Sequence, residues 1–144
     1  NIAARIHGRI GLHTGSTVTD NDSHNLAVTI QRIGMEAKPF DRLIDLHFNY
    51  NAPDASGVEV FYYAYTSEEN KAHAARLSKA VAKVLGLPDR GAKPDTMSAP
   101  KSLGILRYTP CPALLLEVCF LNEKDLPVYR AKLDAVAEEI VNFL

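Results

Sequence analysis

With 144 residues, 16 Lys and Arg against 17 Asp and Glu, and a formal charge of -1, the chain has the size of one ordinary domain and no charge excess that would name nucleic acid as a partner. Its 47% hydrophobic and 23% charged content is that of a soluble globular protein, and a chain this long buries roughly two-thirds of its unfolded surface, so a full core can form. No apolar run reaches the roughly 18 residues of a membrane span, and two cysteines, Cys111 between prolines and Cys119 in an apolar run, make neither a disulfide framework nor a metal motif.

Ile2, Ile6 and Ile10 recur at helical spacing and predict a helix from Asn1 to about Gly11 that has already begun where the sequence starts. The expectation is that an upstream piece, carrying a first strand, precedes Asn1. Residues 15–20, GSTVTD, are a weak strand candidate, after which Ser23 caps a helix with Leu26, Ile30 and Ile33 on its apolar face and Gly34 as its stop. Arg42 to Phe48 reads as a short strand in which Leu43, Ile44 and Leu46 are apolar and Asp45 and His47 interrupt them; the loop from Asn49 to Gly57 ends it. Residues 58–65, VEVFYYAY, are β-branched and aromatic and predict a second strand. The linker between the two is too short for a crossover helix, so as direct neighbours they would be antiparallel and the sheet mixed.

Ser67 caps the next helix, with Leu77, Val81, Val84 and Leu85 on one face and Gly86 and Pro88 as the stop. Residues 89–102 show little periodicity and predict a surface loop long enough to line a site. GILRYT (104–109) and ALLLEVCFL (113–121) are two further strand candidates, the second apolar on both faces and therefore central in a sheet covered on both sides. Asp125 and Pro127 start a last helix whose stripe runs through Tyr129, Leu133, Val136, Ala137, Ile140, Val141 and Leu144. The elements add up to one domain over residues 1–144, a three-layer α/β sandwich with a mixed, mostly parallel central sheet.

Two residues do not fit an apolar sheet. His47 leaves a strand at its carboxyl end, where ligands bind in open α/β sheets, although a lone strand histidine is more often a core residue satisfied by one hydrogen bond. Glu117 is a carboxylate within ALLLEVCFL. Such a group needs a cation, a metal or several hydrogen bonds, or else its pKa rises, which suits a general acid and base; the bland alternative is a salt bridge to Arg107. A histidine and a glutamate at strand ends of one sheet are what a catalytic zinc with a glutamate base requires. Glu59 can equally be a polar residue on an exposed strand face, Tyr62, Tyr63 and Tyr65 are read as packing on the sheet, and Asp45 shares a face with His47 and can orient it.

LIDLHFNYNAP, GVEVFYY, DRGAKP and GILRYTPCPALLLEVCFLN stand in one order. In that order they resemble the zinc-dependent N-acetylmuramoyl-L-alanine amidases that cleave bacterial peptidoglycan. The resemblance implies that His47 is a zinc ligand, that Glu117 is the catalytic acid and base, and that Arg107 and Asn49 lie near the substrate. The family's remaining ligands, a histidine and a glutamate, are expected upstream of Asn1; His7, His13, His24 and His73 are poor substitutes, the last two on solvated helix surfaces. The implied partner is peptidoglycan or a muropeptide, with neither nucleic acid nor membrane, and the implied place of action is the cell envelope, periplasmic or secreted, or that of a phage lysin. A non-catalytic muropeptide-binding relative is the competing reading. A nucleotide-binding domain is disfavoured because no strand runs into a glycine-rich phosphate loop.

Overall fold

The computed structural model describes residues 26–38, 41–50 and 54–143. The helix expected from Asn1, the strand candidate at 15–20 and the Ser23 cap lie outside the described residues. Along the chain come α1 (Leu26–Glu36), β1 (Leu43–Asn49), β2 (Val58–Tyr62), α2 (Glu68–Leu85), β3 (Asp89–Pro94), a 3-10 turn (Asp95–Met97), α3 (Gly104–Arg107), β4 (Ala113–Phe120), α4 (Leu126–Ala131) and α5 (Leu133–Phe143). The strands form one sheet in the order β1-β4-β2-β3. β4 runs parallel to β1 and antiparallel to β2, while β2 and β3 are parallel, so the sheet is mixed and mostly parallel.

β4 is central because it has no polar face to give to water. Leu114, Leu116 and Val118 pack with Val58 and Val60 against Leu77, Val81 and Leu85 of α2 and Val136, Ala137 and Ile140 of α5. The alternate residues Ala113 and Leu115 join Phe61, Ile33 of α1 and Ile105 and Leu106 of α3 on the other face. The predicted three-layer α/β arrangement is therefore the one formed. β1 and β2 are not direct neighbours: β4 lies between them, and the expected mixed character comes from β4 pairing with both.

α2 begins and ends as its sequence predicts. The Ser67 hydroxyl accepts from the Asn70 N–H at 3.2 Å, and Gly86 closes the helix at φ 71°, its N–H donating to the Ala82 and Lys83 carbonyls. α1 passes through Gly34 to Glu36. The long loop expected at 89–102 instead contains β3, because a strand at the margin of the sheet needs only backbone partners and no apolar period. The predicted strand at 104–109 is a single helical turn, α3. Four residues are too few to show a period, and a Cβ at Gly104 would come within 3.2 Å of the Leu26 side chain, so packing under α1 decides the conformation there.

The last helix is two helices broken at Lys132. Lys132 turns out of the stripe and its ammonium donates to the Val84 and Leu85 carbonyls at 3.0 and 2.8 Å, neutralising the C-terminal end of α2. Asp125 does not cap α4 with its side chain. Asn122 holds the turn instead, accepting from the Lys124 and Asp125 N–H groups, and Asp125 is buried, accepting from Ser56 Oγ at 2.6 Å, the Gly57 N–H at 2.9 Å and the Phe120 N–H at 3.2 Å. It ties the end of β4 to the approach to β2. Tyr65 is 81% exposed and does not pack on the sheet, while Tyr62 and Tyr63 pack on the core of opposite faces, Tyr63 also meeting Tyr65 edge to face.

Candidate active site

Strand register brings three of the singled-out residues into one row. His47 on β1 is the parallel partner of Glu117 on β4, and Glu59 on β2 is its antiparallel partner. Residues two apart share a face, so this row continues the face of Leu115 and Phe61, which α1 and α3 cover farther down. Past those helices the face turns polar. After His47 the β1–β4 register slips by one, so that Asn49 stands opposite Phe120, a bulge that re-aims the end of the strand toward the row.

His47 is exposed, and its Nε2 lies 3.0 Å from Asp45 Oδ2 on the same face, the pairing that two-residue spacing allows. Glu117 sits lower, half-buried, and its Oε2 has no hydrogen-bond partner among the described residues. Burial pushes its carboxyl above the usual range; His47 opposes the shift, and the charges of Glu59 and Asp45 add to it.

Glu59 is the opposite case. It is only 4% exposed, so it is not the residue of an open strand face that its sequence allowed. Its Oε1 accepts from Asn49 Nδ2 at 2.5 Å, and its Oε2 accepts from Arg90 Nε at 3.1 Å and from the Lys93 ammonium. Burial alone would push this carboxyl up, but Lys93 and Arg90 more than offset that and hold it below the usual range. The face thus sets a carboxyl pushed above the usual range beside one held below it, an arrangement suited to acid and base chemistry.

Arg107 has another attachment. Its Nε donates to Asp95 Oδ2 at 3.1 Å and its guanidinium lies over the Tyr63 ring, 5.4 Å from the centroid, so the salt bridge to Glu117 is not formed. Asp95, buried, also accepts from the Ala64 N–H, which fixes the turn after β2. Asn49 faces Glu59. Arg90 and Lys93 lie in a stretch whose sequence predicts a loop; the one signal for them is the glutamate in VEV, which once buried has to find cations. His73 is not on a solvated surface, being largely covered with its ring 5.8 Å from that of Phe143. His7, His13 and His24 lie outside the described residues. Cys111 and Cys119 are free and buried, and burial together with Asp125 pushes the Cys119 thiol up to about 12.

Among the described residues no group of three His, Cys, Asp or Glu side chains could hold a metal ion. Of the residues in the row, His47 has the chemistry of a ligand, and Glu117 that of a group acting on a water beside it.

A family model for N-acetylmuramoyl-L-alanine amidases matches residues 3–144. The chain belongs to this amidase family. Its fold is also that of solved members. The catalytic domain of the CD27L endolysin targeting Clostridia difficile is 28% identical, with a TM-score of 0.66 over 81% of this chain and 59% of that one. An N-acetylmuramoyl-L-alanine amidase from Clostridium difficile 630 is 20% identical, with a TM-score of 0.80 over 99% of this chain and 77% of that one. The catalytic domain of the amidase CwlV from Bacillus (Paenibacillus) polymyxa var. colistinus is 21% identical, with a TM-score of 0.72 over 99% of this chain and 78% of that one. The chain therefore spans less than two-thirds of the endolysin domain and about three-quarters of the two amidases. No curated protein matches it.

Proposed function

We propose that the domain hydrolyses the amide bond between N-acetylmuramic acid and L-alanine in peptidoglycan, with Glu117 as general base and then general acid. The observation that carries this reading is Glu117 itself: a half-buried carboxyl at the end of a central strand, whose Oε2 has no hydrogen-bond partner among the described residues, beside a carboxylate held ionised by two cations, in a chain of the amidase family. A proton taken from water by Glu117 passes to the departing amine of L-alanine, so the side chain ends the cycle as it began. Glu59 remains charged through the cycle, and Asp45 holds the His47 ring in one orientation.

The cofactor in this reading is zinc, with His47 as a ligand. Zinc, when bound, lowers the pKa of a coordinated water to about 7 and polarises the carbonyl. A catalytic zinc usually takes about three protein ligands, so the reading assigns the others to residues outside those described here. The substrate sets the place of action at the cell wall; among the described residues no helix is long and apolar enough to cross a membrane.

The test is release of stem peptides from purified peptidoglycan by the whole protein, with metal analysis of the same preparation. Release accompanied by about one zinc per chain, and lost in Glu117→Gln with zinc retained, supports the proposal. Activity that survives Glu117→Gln overturns the assignment of Glu117, and binding of muropeptide with neither release nor zinc supports a non-catalytic relative.

A further inference from the structure

Beside Glu117 lies a positive group whose size the ion pairing of Glu59 does not explain. One buried carboxylate needs one cation, yet Glu59 Oε2 holds two, Arg90 and Lys93, leaving a surplus positive charge on the β3 side of the row. Neither cation is withdrawn from solvent as Glu59 is: the side chains are 35% and 25% exposed against 5% for the glutamate.

Arg90 is also held on more sides than a surface arginine. Its Nε goes to Glu59, its guanidinium lies over the Phe120 ring at 5.1 Å, and its methylenes pack against Gly57, where an added Cβ would come to 3.0 Å from Cγ. Gly57 has φ 120°, and Asp125 grips its N–H. Of the five N–H donors of a guanidinium, the one at Nε is spent on Glu59, and the edge carrying the Nη donors is the part shaped to take a carboxylate in bidentate fashion. Ordering such a side chain costs rotamer entropy, which here has been lost before any ligand arrives.

We infer that Arg90 and Lys93, mounted on Glu59, form a subsite for a carboxylate of the substrate, one residue beyond the bond cleaved. The assignment rests on the amidase reading for its substrate class. Adjacent strands are roughly 4.8 Å apart, so cations that reach in from β3 toward Glu59 stand between one and two spacings from Glu117. From the L-alanine nitrogen, one N–Cα bond, one Cα spacing and one Cα–C bond reach at most about 6.8 Å. The group that falls at this distance from the L-alanine nitrogen is the α-carboxylate of the next residue, a glutamate joined onward through its side chain, whose α-carboxyl is either free or amidated. The subsite distinguishes the two forms by charge.

Calorimetry with the whole protein carrying Glu117→Gln, titrated with N-acetylmuramoyl-L-alanyl-glutamate whose side-chain carboxyl is capped as a methylamide and whose α-carboxyl is either free or amidated, tests this without turnover. The acid should bind roughly tenfold more tightly, the size of one charge-assisted contact. Adding Arg90→Gln or Lys93→Gln should weaken the acid toward the amide while leaving the amide unchanged. Equal affinities, preference for the amide, binding of neither, or a preference that survives both substitutions overturns the inference. Should Arg90→Gln fail to fold, the acid-to-amide comparison needs no substitution on β3 and decides by itself. Discrimination without cleavage by the unsubstituted protein keeps the carboxylate subsite and removes the hydrolytic reading, so the two failures are distinct.

Discussion

Glu59 and Glu117 stand opposite each other on the antiparallel β2–β4 pair, and their environments drive them apart: Glu59 receives Arg90, Lys93 and Asn49, whereas Glu117 Oε2 receives no partner among the described residues. Two carboxylates this close do not ionise equally. Burial first, and then the charge that the two cations keep on Glu59, raise the Glu117 carboxyl, and Glu117 lies next to His47.

Glu117→Gln should therefore abolish stem-peptide release while raising stability near pH 7. A raised carboxyl favours the folded state when protonated; that contribution is complete below the unfolded value, about 4.3, and is lost as pH rises through the higher folded value. At neutral pH the native protein bears the cost of a poorly solvated charge that glutamine lacks. Urea unfolding of the metal-free proteins from pH 4 to 8 should show the variant gaining on the wild type as pH rises, with the gap closing toward pH 4. A gap of constant size across that range would mean that burial of the charge is not its cause.

Glu59→Gln should act with the opposite sign. A carboxyl held below the usual range contributes stability above the unfolded value, lost as pH falls through the folded value. Removing the charge leaves Arg90 and Lys93 without their carboxylate, and because both cations reach solvent the expected loss at pH 7 is about 1–2 kcal/mol, below that for a fully buried pair. It should shrink below pH 4, where the wild-type carboxylate is itself being protonated. Denaturant midpoints measured across the same pH series check both the size and the sign.

The framework of this site was legible in the residues, and its outer part was not. ALLLEVCFL marks the centre of a sheet because apolar residues on both faces admit no other place, and a glutamate within it is conspicuous for the same reason. His47 and Glu117 could be suspected separately, but their register could not be known until β4 was seen to enter between β1 and β2. DRGAKP has neither apolar alternation nor β-branched residues, since β3 contributes backbone pairing on one side and cations on the other. GILRYT misled for a related reason: one turn of helix is too short to show a period, and contact with α1 fixed it. Asp125 looked like a helix cap because its position is right, and only the arrival of Gly57 and Phe120 gives its side chain other donors.

Gly57→Ala probes the floor beneath Arg90. The backbone there has φ 120°, outside what an L residue adopts without strain, and the new Cβ would lie 2.4 Å from the Pro88 carbonyl oxygen. Backbone has to move, so the expected cost is roughly 2 kcal/mol or more. Because the same methyl group presses on Arg90, KM for a substrate with a free carboxylate should rise more than KM for its amide. A thermal melt and steady-state kinetics on the two substrates separate the two effects, and an unchanged melting temperature would contradict the packing described.

Asp125 offers the sharpest separation of hydrogen bonding from charge. Its Oδ2 accepts from two backbone N–H groups, Gly57 and Phe120, and its Oδ1 from the Ser56 hydroxyl. Asp125→Ala leaves both N–H donors buried without an acceptor, at an expected cost of about 3 kcal/mol. Asp125→Asn keeps one oxygen for those donors and turns its amide toward Ser56, whose hydroxyl can accept instead, so a loss of only about 1 kcal/mol is expected. If the two variants are equally destabilised in urea, the negative charge matters more than the acceptor. If Asn is the milder, as the geometry requires, Asp125 acts by holding the ends of β4 and the β2 approach together, and with them the two residues, Gly57 and Phe120, against which Arg90 is packed.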